Sequence, residues 1–118
     1  MKKIGIVGSR SRDRAEDYRT VNRVFDRLYK TGDWIVSGGC PKGAAQFAER
    51  MARADGIPIL TFYPDWEGEG KAAGFVRNTF IAEESDILIA CVADDRTGGT
   101  EDTIKKFEKL GKGKAILC

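Results

Sequence analysis

The chain contains no histidine. That absence removes imidazole as a general base and as a metal ligand, and with it every His-dependent triad. Any chemistry must come from carboxylates, Arg, Lys, Ser, Thr, Tyr, Cys or backbone amides. Cysteine is scarce. Cys40, Cys91 and Cys118 are an odd count without metal-ligand spacing, so neither a disulfide framework nor a metal site is expected. Reduced thiols fit a cytoplasmic protein. No apolar run approaches the ~20 residues that span a membrane. The stretch Met1 to Gly8 is basic and then apolar, but its apolar part is too short for a secretory signal. A dominant charge sign is missing as well: 20 basic and 18 acidic residues leave a net charge of +2. That bias is too weak to argue for nucleic-acid binding. Repeats, linkers and low-complexity tracts are absent, and 118 residues are expected to form one domain, residues 1–118.

What the sequence does have is a regular alternation. Five short apolar runs read as strands: Lys3 to Val7, Trp34 to Val36, Ile57 to Phe62, Asp86 to Val92 and Lys114 to Cys118. Between them lie four helical segments. Tyr18, Val21, Val24, Phe25 and Leu28 recur at helical spacing, with Asp17 as the expected cap and Gly32 as the stop. A second helix runs from Ala44 to about Ala54 and a third from Phe75 to Glu84. The fourth is capped by Thr100, carries Ile104, Phe107 and Leu110 on one side, and closes at Gly111. Continuously apolar strands imply burial on both faces, hence a parallel sheet between helix layers. The expected fold is α/β: a three-layer Rossmann-like sandwich with a five-stranded parallel sheet in the order 3-2-1-4-5. Pro58 points to an edge position for the third strand, because it cannot donate to a ladder. Tyr63 to Gly74 is the longest irregular stretch, and loops of that length are usually functional or mobile.

Three glycine-bearing turns follow strands. They are Gly8-Ser9-Arg10, then Ser37-Gly38-Gly39-Cys40-Pro41-Lys42-Gly43, then Gly98-Gly99-Thr100. Glycine lets the backbone approach a ligand and adopt positive φ. A helix that starts beyond such a turn presents free N–H groups to an anion. In a parallel sheet all three turns fall on one edge, where ligands bind. The residues expected to hold a ligand are Gly8, Ser9, Arg10, Ser37, Gly38, Gly39, Lys42, Gly43, Lys71, Arg77, Asn78, Gly98, Gly99 and Thr100. Arginine can grip a phosphate bidentately. Arg77 lies on a partly buried helix, and Asn78 could read a base or ribose. Lys71 sits in a glycine-flanked loop that could close over a ligand. Each has a plain alternative as a solvated or capping residue. Glu101 and Asp102 also suit the first turn of a helix on dipole grounds alone.

These pieces, with Tyr63-Pro64-Asp65-Trp66, Gly70-Lys71-Ala72-Ala73-Gly74, Arg77-Asn78 and Ser85-Asp86, run in order over nearly the whole chain. Together they resemble the SLOG superfamily of Rossmann-like domains, which includes the LOG cytokinin-activating enzymes and the DprA DNA-processing proteins. The match is to its small single-domain branch related to YpsA. The resemblance implies binding of a nucleotide or nucleotide-derived ligand, and a homodimer. LOG enzymes cleave the N-glycosidic bond of nucleoside monophosphates with an Arg, matched here by Arg77, and a Glu three residues past a Gly-Thr turn. That Glu position holds Thr103. Glu101 and Asp102 are displaced from it, and one residue along a helix turns a side chain by about 100°. An Asp common in the small branch's central loop is replaced by Ala45.

Three functions follow as expectations. The first is a module that binds or senses a nucleotide-type ligand, with no metal and no cofactor. The second is a nucleotide N-glycosidase in which Arg77 fixes the ligand and Glu101 or Asp102 stabilises an oxocarbenium ion. The third is DNA handling through Arg10, Arg12 and Arg14, against which the near-neutral charge argues.

Overall fold

The computed structural model describes all residues, Met1–Cys118. Five strands, β1 (Lys3–Gly8), β2 (Trp34–Ser37), β3 (Ile59–Thr61), β4 (Ile87–Cys91) and β5 (Ile116–Leu117), form one sheet. Its order is β3-β2-β1-β4-β5, and every neighbouring pair is parallel. The expected fold class and strand order are thus observed. The helices are α1 (Ala15–Leu28), α2 (Ala44–Asp55), the one-turn α3 (Trp66–Glu69), α4 (Ala73–Glu84) and α5 (Gly99–Lys109). No helix is long and apolar enough to cross a membrane.

Strand alternation divides the core into two. Ile4, Ile6, Ile35, Ile89 and Cys91 face one side, where Val21 and Phe25 of α1 and Phe47, Ala48 and Met51 of α2 cover them. Their neighbours Val7, Val36, Leu88 and Ala90 face the other side, under Ile81 and Ala82 of α4 and Ile104 and Phe107 of α5. Period-two side chains on strands and period-3.6 stripes on helices make this the consistent solution. Each large apolar side chain fully buried there contributes roughly 1.5–3 kcal/mol.

Local differences from the sequence reading have physical reasons. Asp17 does not cap α1 from outside. It lies inside the first turn and accepts the Arg14 N–H at 3.1 Å and Arg12 Nε at 2.7 Å. Burial raises its pKa, but the hydrogen bonds from Arg12 and Arg14 outweigh burial and hold it below the usual carboxylate value. Thr100 does not cap α5; the cap is Gly98, and Thr100 is already helical. Leu110 is exposed beyond the end of α5. β3 begins after Pro58, on the sheet edge as its proline suggested. The stretch Tyr63 to Gly74 is not wholly irregular: α3, capped by Asp65 through the Gly68 N–H at 2.9 Å, and a turn of 3-10 helix at Gly70–Ala72 lie within it.

Candidate functional site

All five strands end at one edge, and the strand order reverses there between β1 and β4. The β1–β4 ladder runs to Gly8 opposite Cys91, and Ser9 N–H adds one more bond to the Cys91 carbonyl at 2.9 Å. Beyond that point the two chains separate, which is where open α/β sheets leave a crevice. A cleft of about 510 Å³ occupies it.

The cleft draws its wall from four segments. The turn after β1 supplies Gly8, Ser9, Arg10 and Ser11. The turn after β2 supplies Gly38 and Cys40. Helix α4 supplies Arg77, Asn78 and Ile81, and the loop into α5 supplies Asp95, Thr97, Gly98, Gly99, Thr100 and Thr103. Ile6, Val7, Ala45 and Ala93 complete the lining. The three glycine turns therefore meet in space. Of the residues expected to hold a ligand, Gly8, Ser9, Arg10, Gly38, Arg77, Asn78, Gly98, Gly99 and Thr100 line the cleft.

Ser37, Gly39, Lys42, Gly43 and Lys71 do not line it. Ser37 is the buried last residue of β2, with its hydroxyl turned to the Ala45 carbonyl at 3.4 Å. Tyr63 packs against Gly39. Lys42 and Lys71 are exposed. Gly43 is the cap of α2 at φ 74°. A Cβ there would stand 2.7 Å from the Ser9 carbonyl oxygen, so only glycine lets the first two turns approach this closely. Its N–H is not available to a ligand, because it donates to Asp13 Oδ1 at 2.8 Å.

Helices α2 and α5 both start at this edge, and neither has a side-chain cap. Their first-turn amides and partial positive charge are consequently not neutralised by a capping oxygen. Thr100 is only 9% exposed, and its hydroxyl has no hydrogen-bond partner in the chain. The cleft holds two cationic side chains, Arg10 and Arg77, and one anionic one, Asp95. Asp95 is folded back on Thr97, accepting its N–H at 3.2 Å and its hydroxyl at 2.9 Å.

Arg77 is the most constrained of these groups. Its Nη1 donates to the Gly38 carbonyl at 2.6 Å and its Nε to Asn78 Oδ1 at 2.8 Å. These bonds fix the guanidinium and leave Nη2 without a partner in the chain. Asn78 is buried, and its Nδ2 donates to the Gly99 carbonyl at 3.2 Å and to Asp102 Oδ2 at 3.1 Å. It braces the arginine against the α5 turn, with both amide hydrogens engaged and its oxygen accepting from Arg77.

Glu101 and Asp102 are engaged outside the cleft. Arg96, at φ 54°, holds both Glu101 oxygens, at 2.8 and 3.0 Å. Those hydrogen bonds lower the Glu101 pKa from its ordinary value. Asp102 pairs with Lys106 at 2.9 Å as well as with Asn78. Thr103, three residues past Thr100, does line the cleft, and its hydroxyl donates to the Gly99 carbonyl at 3.2 Å. Arg12 is also committed inside the fold. It binds Asp17, the Val92 carbonyl at 2.8 Å and the Cys118 carbonyl at 3.2 Å, tying the β1 turn to the ends of β4 and β5.

Sequence reasoning missed Ser11, Asp95, Thr97 and the partner role of Asp13. The first three are polar loop residues flanking a glycine turn, and that adjacency was a usable signal. Asp13 gave none, because its partner is thirty residues away in sequence. No group of three or more His, Cys, Asp or Glu is placed to hold a metal ion.

No protein-family model matches the chain, and no curated protein matches it in sequence. A solved structure does match in fold. The X-ray structure of TM1055, a structural genomics target, superposes with a TM-score of 0.67 at 18% identity, covering 94% of this chain and 71% of that one. At that identity the likeness concerns the fold alone.

Proposed function

We propose that the cleft binds a nucleotide or nucleotide-derived ligand by its phosphate and serves recognition rather than turnover. The observation that carries this is the meeting of three glycine turns and two uncapped helix starts around one cleft that also holds Arg10 and Arg77. Backbone N–H groups and arginines are the donors that phosphate oxygens take. The unpartnered Thr100 hydroxyl adds a further donor at the same place. The apolar residues Ile6, Val7, Ala45 and Ile81 give the rest of a ligand a dry surface. The motif resemblance to the SLOG superfamily points to the same ligand class, and the Rossmann-like sheet fits it.

The hydrolase alternative needs a carboxylate facing the ligand. The two positions where related enzymes and the small branch carry acids are Thr103 and Ala45 here, and both line the cleft without a charge. Glu101 is held by Arg96, and Asp102 by Lys106 and Asn78. DNA handling would draw on Arg10, Arg12 and Arg14, but Arg12 is spent on Asp17 and two carbonyls. The resemblance also implies a pair of identical chains, a question of surface rather than of cleft.

The test combines two readouts on one sample. With AMP, related monophosphates or NAD-type compounds, thermal unfolding should move upward as ligand is added, and chromatography should find no free base. Release of adenine from AMP would establish the hydrolase instead. Neither stabilisation nor turnover with any of these compounds would overturn the reading.

A further inference from the structure

The sheet brings together two cysteines that lie far apart in sequence. β4 and β5 pair in parallel, with Ile89 opposite Ile116 and Ala90 opposite Leu117. One step further in the same register sets Cys91 opposite Cys118. The Cys118 N–H donates to the Ala90 carbonyl at 2.9 Å, which carries the ladder that far. Residues opposite each other in a parallel ladder point to the same face. Both cysteines do so: Cys91 belongs to the core under α1 and α2, and Cys118 packs against that same core. Both are thiols. The third cysteine, Cys40, stands apart from them in the wall of the cleft, on the turn after β2.

Strand spacing suits a bond between them. Neighbouring strands lie about 4.7–4.9 Å apart, inside the roughly 4.4–6.8 Å range of Cα separations that a disulfide spans. The two β carbons must still draw together, because a disulfide holds them about 3.5–4.5 Å apart. β5 is the strand that can yield. It lies at the sheet edge, has only Ile116 and Leu117 in the ladder, and leaves Leu117 exposed. Cys91 is held more firmly, since β1 pairs with β4 on its other side and sets Gly8 opposite it.

The two thiols differ in access. Cys91 is fully buried and Cys118 half-buried. Burial raises the pKa of both, that of Cys91 to about 11. The Arg12 guanidinium, held on Asp17 and on the Cys118 carbonyl, pulls both the other way. Attack on an outside oxidant therefore falls to Cys118. We propose that Cys91 and Cys118 are a modification site, a thiol pair that a small-molecule disulfide such as oxidised glutathione converts to an intramolecular disulfide. The Cys118 thiolate attacks one sulfur of the oxidant, breaking its S–S bond and releasing one thiol. The Cys91 thiolate then attacks the Cys118 sulfur, forming the cross-strand bond and releasing the second thiol. The oxidant takes both electrons, and the two cysteine protons end on the two released thiols. The product staples the edge strand to β4. The inference stands apart from the reading of the cleft.

Intact mass and peptide mapping without reductant test it, on the Cys40→Ser chain treated with oxidised glutathione. The chain should become lighter by two hydrogen atoms, with the peptides that hold Cys91 and Cys118 linked. Adding Cys91→Ser should instead leave a lasting glutathionyl group on Cys118. Hydrogen exchange reads the staple itself: the amides of residues 114–118 should exchange about tenfold more slowly after oxidation and recover with a reductant. Two free thiols at the end of the treatment would overturn the inference. So would a glutathionyl group that persists on Cys118 while Cys91 is present, or bonds formed only between separate chains.

Discussion

The two edges of one sheet are finished differently. At the amino edge several charges are tied to backbone and side chains across neighbouring segments. Asp33 accepts the Lys2 N–H and the Lys30 N–H, each at 2.9 Å, together with the Lys2 ammonium. Asp86 accepts the Lys3 N–H at 2.8 Å, and Glu84 pairs with the Lys3 ammonium at 2.7 Å. At the carboxyl edge the outer loops pair their charges too, Arg12 with Asp17 and Arg96 with Glu101, but the cleft lining differs. Two helices start without side-chain caps, the Thr100 hydroxyl and Arg77 Nη2 have no partner in the chain, and the single lining acid is turned onto its own loop. No buried side-chain nitrogen or oxygen lacks a partner. The free donors at the carboxyl edge are therefore solvent-facing ones, and on the reading proposed above these are the groups an anion would take.

Substitutions can break or sharpen that contrast. The largest effect is expected from Arg77→Ala. It removes the fixed guanidinium, and a hydrogen bond to a charged group is worth about 1.5–3 kcal/mol. AMP affinity measured by titration calorimetry should fall about ten- to a hundredfold, with Arg77→Lys in between because an ammonium cannot reproduce the fork. Gly43→Ala comes next. The new methyl would meet the Ser9 carbonyl at a backbone φ of 74°, so urea unfolding should show a loss of about 1–3 kcal/mol.

At the amino edge, Asp33 tests the paired half of the contrast. Hydrogen bonds from Lys2 lower its pKa to about 2 from the ordinary 3.8. The folded state thus binds its proton more weakly than the unfolded chain. Its stabilising contribution is complete above the unfolded pKa and is lost as pH falls through the folded one, between about pH 4 and pH 2. Asp33→Asn should lower stability at neutral pH and flatten the unfolding curve in that window, with AMP binding unchanged. The smallest effect belongs to Asp102→Ala. It leaves Asn78 with one brace fewer, and AMP affinity should drop only a few-fold, on the order of 0.5–1.5 kcal/mol. A drop as deep as that of Arg77→Ala would mean that Asp102 touches the ligand itself.

The sheet was legible because its signals are local. Runs such as Ile87 to Cys91 are apolar on both faces, and the parallel order follows from their alternation with helices. The glycine turns were legible for the same reason, since Gly38 and Gly98 each stand between a strand and a helix. What could not be read depends on long-range pairing. Gly43 looks like a ligand donor in sequence, yet Asp13 takes its N–H. Asn78 looks like a base reader, yet both its amide hydrogens go to Gly99 and Asp102 and its oxygen accepts from Arg77. Glu101 and Asp102 look available until Arg96 and Lys106 are placed beside them. Threonine favours the cap position, so Thr100 reads as a cap in sequence, but Gly98 at φ 98° supplies a conformation that threonine cannot easily adopt.

Titration calorimetry of the wild-type chain and Arg77→Ala with AMP, run side by side, bears most directly on the open edge. Saturable binding by the wild type that the variant loses, with both chains equally folded, is the predicted result. No saturable heat with the wild type, or an unchanged affinity in the variant, would contradict it.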